Sequence, residues 1–284
     1  MNVELFREDF RVRHAVLGFS GWPDAGRTIE LTLGQLKEHM TCEQVAIMDM
    51  DGFWHTELTR PQVTIHQGQI QRLAWPAWRL FLCGRPSSEP VLVGMGPEPG
   101  CHWRLFSQEL IDLLKKQGCE EILLLGSLSD QVLHDELLIS CVVQDVLGFN
   151  RARELGCHLA EYAGSSAIHA ALMEAAPASN IHCMSFWAHL PFYLDGPHER
   201  IVARLLQILG ALLNLEFDTT SLLESWKRRE REIEDIIQQD HDLLNLLESM
   251  KKEDRETRPP SRSSKVVRLD EFMRKRLRPP ADEQ

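Results

Sequence analysis

The chain has 284 residues, 43% of them hydrophobic, enough to bury a sizeable core in one large domain or two smaller ones. Its net charge of −11 argues against general nucleic-acid binding, where neutralised phosphates supply most of the affinity. The opening residues MNVELFREDF are charged, and no run of about 18 apolar residues offers a membrane span, so a cytoplasmic protein without membrane contact is expected.

The first predicted strand is HAVLGF. It leads through GWPDAGRT, residues 21–28, into a helix over IELTLGQLKEHM. That loop matches the phosphate-binding pattern G-x-x-x-x-G-K-[ST] except that Arg27 replaces lysine, and its strand–loop–helix setting is the one the motif needs. Pro23 removes an N–H from the cradle, however, and Asp24 puts a carboxylate where phosphate charge would sit. The same turn is a near miss for the nucleophile elbow, because Gly18-Phe19-Ser20-Gly21 is followed by Trp22 instead of glycine; Ser20 reads as a turn or capping serine.

A second strand, EQVAIMDM, precedes PQVTIHQGQIQRLAWPAWRLFLCG, which reads as strands around a His-Gln-Gly-Gln turn. This hairpin is expected to extend one edge of the sheet in antiparallel fashion. Strand VLVGM then runs into GMGPEPGCHW. Gly94 and Gly96 supply G-x-G, but Pro99 stands where a dinucleotide fingerprint needs its third glycine. The prolines point instead to a stiff loop displaying Glu98 and Trp103. The remaining elements are a helix over HWRLFSQELIDLLKKQG, strands EILLLG, ISCVVQD and IHCMSFWA, and a helix over ERIVARLLQILGALLNL. Apolar strands alternating with helical spacing imply an α/β fold with a mixed, mostly parallel sheet. Asp24, Glu98, Asp130, His134 and Asp135 all follow apparent strands, where open α/β sheets place ligands.

From Ser221 the character changes. SLLESWKRREREIEDIIQQ carries a narrow apolar stripe of Leu222, Leu223, Trp226, Ile233 and Ile237 on a charged helix, and DHDLLNLLESM restarts after an aspartate cap. The organisation read from this is a core domain over 1–220, a helical arm over 221–252 and a flexible basic tail over 253–284. In the tail, VVRLDEFMRKRL has the spacing of a short amphipathic helix. Residues 251–284 carry eleven Lys/Arg against seven Asp/Glu, so residues 1–250 carry −15. The seven cysteines contain no C-x-x-C pair, which argues against a disulfide framework and a zinc ribbon and points to reduced, mostly buried thiols. No metal and no cofactor is expected.

Four stretches resemble one family. GFSGWPDAG, GPEPGCHWRLFSQEL, LLLGSLSDQVLH and YAGSSAIHAALMEAAPASNIHCMSFWAHLPFYL are similar, in order and spacing, to blocks of the proteasome assembly chaperone family in its longer prokaryotic, PAC-type members. The resemblance implies a three-layer α/β/α sandwich of the nucleoside-phosphorylase-like type, used without known catalysis. It also implies protein partners: further copies of the chain in a homo-oligomer such as a trimer, and proteasome subunits by family analogy alone. Trp22, Asp24, Ala25, Gly26, Glu98, Trp103 and His134 fall on the family motifs. Two loops depart from them. His134-Asp135-Glu136-Leu137 and Gly164-Ser165-Ser166-Ala167-Ile168 both lack the family's proline, and the chain ends Asp282-Glu283-Gln284 without the hydrophobic-Tyr-x docking sequence.

The function expected from these residues is that of a non-enzymatic, chaperone-like binding protein. Trp22, Asp24, Glu98, Trp103 and His134 are its candidate partner- or ligand-binding residues, the two tryptophans because buried aromatics dominate protein–protein affinity. The alternative is a small-molecule enzyme or binder, of the nucleoside or phosphate type, using the strand-end cleft.

Overall fold

The computed structural model describes residues 3–257 apart from positions 8, 58 and 87; the expected tail helix lies outside the described residues. The described residues form eleven strands: β1 (Val3–Leu5), β2 (His14–Ser20), β3 (Thr41–Asp49), β4 (Gln62–His66), β5 (Gln69–Ala74), β6 (Ala77–Gly84), β7 (Val91–Pro97), β8 (Glu121–Asp130), β9 (Ile139–Val143), β10 (His158–Leu159) and β11 (His182–Pro191). The helices are α1 (Thr28–Glu38), α2 (Trp103–Lys116), α3 (Val146–Glu154), α4 (Ile168–Ala175), α5 (Glu199–Leu213), α6 (Thr220–Gln239) and α7 (His241–Thr257).

Nine strands form one mixed sheet in the order β1-β3-β6-β7-β2-β8-β11-β9-β10. Its central strands β7, β2, β8 and β11 run parallel, while β6 against β7 and β9 against β11 are antiparallel. Alternation along the strands divides the core in two. Val16, Leu123, Leu125, Met184 and Phe186 face α1 and α5, whereas Ala15, Leu17, Ile122, Leu124 and Cys183 face α2 and α4. Burial on both faces makes β2 and β8 continuous apolar runs. Each fully buried Leu, Ile or Val contributes about 1.5–3 kcal/mol. The result is the expected three-layer α/β/α arrangement, with the ends of the parallel strands gathered on one rim.

Two expectations are corrected. The hairpin does not lengthen the sheet: β4 and β5 pair only with each other, around a turn whose Gln67 and Gly68 both have positive φ, and β6 alone joins the large sheet. The cysteines are not all free thiols. Cys42 on β3 lies opposite Cys83 on β6 with a Cα–Cα distance of 4.1 Å, and the two are disulfide-bonded. Antiparallel register created this pair across 41 residues of sequence, which residue spacing alone does not reveal.

The chain forms two compact units, residues up to Ile233 and residues from Glu234. In the first, the start of α6 is fastened by Trp226, whose indole stacks on the His198 imidazole at 3.6 Å, and by Arg229, which donates to the Pro197 carbonyl. In the second, the Asp240 carboxylate accepts from the N–H groups of Asp242 and Leu243 and so caps α7.

Candidate functional site at the strand ends

Asp24 is buried and fully occupied. One carboxylate oxygen accepts from the Ile29 N–H at 2.7 Å and from the Ser127 hydroxyl at 3.3 Å, and the other accepts from the Glu30 N–H at 3.2 Å. The need arises because Arg27, at the N-cap of α1, has left-handed backbone and makes no side-chain cap. Asp24 therefore serves as a displaced cap, and its carboxylate fills the helix N-terminus that a phosphate would require. Pro23 ties the loop to the sheet by accepting from the Ser127 N–H at 2.8 Å. Burial pushes the Asp24 carboxyl up, against the pull of the two backbone donors.

Glu98 does the same for a different helix. Its Oε1 accepts from the Ile168 N–H at 2.9 Å, the first residue of α4, whose own N-cap, Ala167, has no side-chain acceptor. Burial raises this carboxyl too. The loop does not display Trp103. That side chain is half-buried at the start of α2, packs on the core and donates from Nε1 to the Pro99 carbonyl at 2.5 Å. His134 is buried as well: the Tyr193 hydroxyl accepts from its backbone N–H at 2.8 Å and lies 2.8 Å from its Nδ1. Its carbonyl accepts from His198 Nε2 at 3.2 Å, and burial raises the Tyr193 phenol to about 12.

Trp22 behaves differently. It is 62% exposed, and its ring meets Trp187 edge-on with centroids 6.4 Å apart. Of the five candidates, then, Trp22 projects from the rim, while Asp24, Glu98, Trp103 and His134 each hold a separate structural joint. They share no hydrogen bond with one another, so the geometry does not assemble them into a single acid–base centre.

A family model described as the PAC2 family matches residues 18–237, spanning every one of these joints. The chain belongs to the PAC2 family. It is similar to the Mycobacterium tuberculosis proteasome-assembly chaperone homologue at 26% identity, with a TM-score of 0.75 over 82% of this chain and 98% of that one. A PAC2 family protein from Streptomyces avermitilis is 25% identical, with a TM-score of 0.68 over 78% of this chain and 95% of the other. The fold is shared with PbaB of Pyrococcus furiosus, an archaeal proteasome activator, at 14% identity and a TM-score of 0.66 over 83% and 98% of the two chains. None of the curated proteins matches. Among the described residues no helix is long and apolar enough to cross a membrane, and no three His, Cys, Asp or Glu gather as a metal-binding group.

The sequence reading missed Ser127, Tyr193 and His198, which complete the PAC2 joints. Ser127 and Tyr193 lay inside the quoted family blocks, but their partners are at least 59 residues away in sequence. Asp130, one of the residues following apparent strands, belongs with His189 and Ser140, a grouping that spacing did not indicate.

Proposed function

We propose that this PAC2 protein is a cytoplasmic, chaperone-like binding protein that docks partner proteins on the strand-end rim around Trp22. The carrying observation is the contrast at that rim: Asp24 and Glu98 are engaged as helix caps, while a large aromatic side chain stands out into solvent beside a second one. An exposed tryptophan becomes a dominant anchor once buried against a partner. The names of the Mycobacterium and Pyrococcus relatives make proteasome subunits the first heterologous partners to test, and another copy of the chain the first homologous one.

The test uses purified full-length protein, alone and mixed with proteasome α-subunits, followed by light scattering and crosslinking. Association is expected with at least one of the two, weakened about 30-fold by Trp22→Ala, as loss of an anchor of about 2 kcal/mol requires. A wild-type protein that stays monomeric and unlinked to proteasome subunits overturns the reading, as does association indifferent to Trp22→Ala.

A further inference from the structure

His189 on β11 joins two other strands through its ring. Nδ1 lies 2.6 Å from an oxygen of Asp130, the last residue of β8, and Nε2 lies 2.8 Å from the hydroxyl of Ser140 on β9. Sheet register explains how they meet. Ser140 is the cross-strand partner of Trp187, and Asp130 is the cross-strand partner of Pro191, so Ser140, Trp187, His189 and Asp130 share one face of the sheet. That is the face covered lower down by α2 and α4. The backbone pins two members: the His189 N–H donates to the Leu138 carbonyl at 3.1 Å, and the Asp130 carboxylate also accepts from the Gln131 N–H at 2.7 Å.

We propose that Ser140, His189 and Asp130 form a serine-nucleophile site that takes small activated acyl or phosphonyl esters. The proposal goes beyond partner docking and does not rest on it. The order of contacts is the one such chemistry needs. A carboxylate on Nδ1 fixes the tautomer that leaves Nε2 as the proton acceptor for the serine hydroxyl. Access grades along the line: the Asp130 side chain is 40% exposed, that of His189 14%, and Ser140 8%. The line is thus most open at Asp130, and a reagent reaching buried Ser140 must be slim. The Trp187 ring, directly across from Ser140 on the same face, adds apolar surface suited to a short acyl chain.

With an ester, Ser140 Oγ bonds to the acyl carbon as its proton passes to His189 Nε2, and the departing alkoxide takes that proton as the ester C–O bond breaks. Water then repeats the sequence on the acyl-serine, releasing the acid and restoring the hydroxyl. Ser140 sits within a strand whose residues pair with both β11 and β10, leaving its peptide groups committed to the sheet. The substrates are therefore those whose leaving group departs readily, phenyl and similar esters in place of amides.

The experiment treats the full-length protein with a fluorophosphonate, which forms an Oγ–P bond and expels fluoride, and locates the adduct by peptide mass spectrometry. One adduct is expected, at Ser140, absent when the protein is unfolded in urea beforehand. His189→Gln and Asp130→Asn are expected to slow labelling by about 10²–10⁴-fold, the span of general-base assistance. Hydrolysis of p-nitrophenyl acetate should fall to the uncatalysed rate in Ser140→Ala. Wild-type protein left unmodified at Ser140 overturns the proposal. So does labelling that is equally fast in urea, or unchanged in folded His189→Gln.

Discussion

The Asp24 carboxylate accepts a hydrogen bond from the Ile29 N–H at 2.7 Å, five residues ahead and already inside α1. A helix N-terminus normally draws its acceptor from the residue just before it, and Arg27 offers none. Asp24→Ala would strand the Ile29 and Glu30 donors together, while the Ser127 hydroxyl keeps the Ala25 carbonyl as its acceptor at 3.1 Å. It is expected to cost about 2–4 kcal/mol, above the usual cap loss because the site is buried. Asp24→Asn keeps one acceptor but turns an amide N–H toward a donor, for about half that loss. Urea midpoints of the two variants at unchanged m-value test this ordering.

Most of the layered fold is legible in the sequence, because strands such as HAVLGF and EILLLG are buried on both faces and leave unbroken apolar runs. The role of Asp24 is half legible: Pro23 and the carboxylate itself argue against phosphate binding, but only the folded chain shows which N–H groups the carboxylate serves. Glu98 is less legible still, since its acceptor role depends on α4 beginning 70 residues later. Trp22 and Trp103 look alike in the sequence and part company in the structure. Trp103 is the first residue of a helix whose inner face is core, whereas Trp22 sits in a loop and stays largely exposed beside Trp187. The two-residue β10 lies below any periodicity signal, and the failure of the hairpin to join the sheet depends on the register of β6.

The motif glycines are explained by close approach. Gly26 has a φ of +61°, and a Cβ there would lie 2.4 Å from the Gly196 carbonyl oxygen. At Gly96 a Cβ would lie 2.0 Å from the indole of Trp78, which lies across β7 and donates to the Pro97 carbonyl at 3.1 Å. The G-x-G of β7 thus makes room for an internal tryptophan in place of a cofactor. Gly26→Ala and Gly96→Ala are each expected to lose about 3 kcal/mol or more through strain and overpacking. Gly21→Ala, with positive φ but open space, should lose only about 1 kcal/mol. Thermal melts of the three would separate clash from backbone strain.

Thiol counting tests the β3–β6 cross-link. Protein denatured without reductant should titrate five thiols, Cys101, Cys119, Cys141, Cys157 and Cys183, and seven after reduction. A bond closing so long a loop stabilises a domain by about 2–4 kcal/mol, so reductant should lower the urea midpoint of the wild type and not that of Cys42→Ser.

Acid should destabilise the protein earlier than its carboxylates alone would predict. Burial lowers His198 to about 4 and His169 to about 3, while both would titrate near 6.5 in the unfolded chain. Below pH 6.5 the unfolded state therefore binds protons that the folded state refuses, and stability falls as pH falls. Each histidine contributes a slope approaching about 1.4 kcal/mol per pH unit until its folded value is reached. Asp24 and Glu98, raised by burial, act in the opposite sense, because the folded state protonates first as pH drops through their folded values. The histidine effect should accordingly be cleanest between pH 6.5 and about 5. Unfolding free energies measured by urea at several pH values in that window should slope upward with pH in the wild type. The slope should shrink in His198→Gln, leaving His169, and His14 whose imidazole burial also lowers, to carry the rest. An unchanged slope would mean that His198 already accepts a proton in the folded state, with its ring freed from Trp226 and the His134 carbonyl.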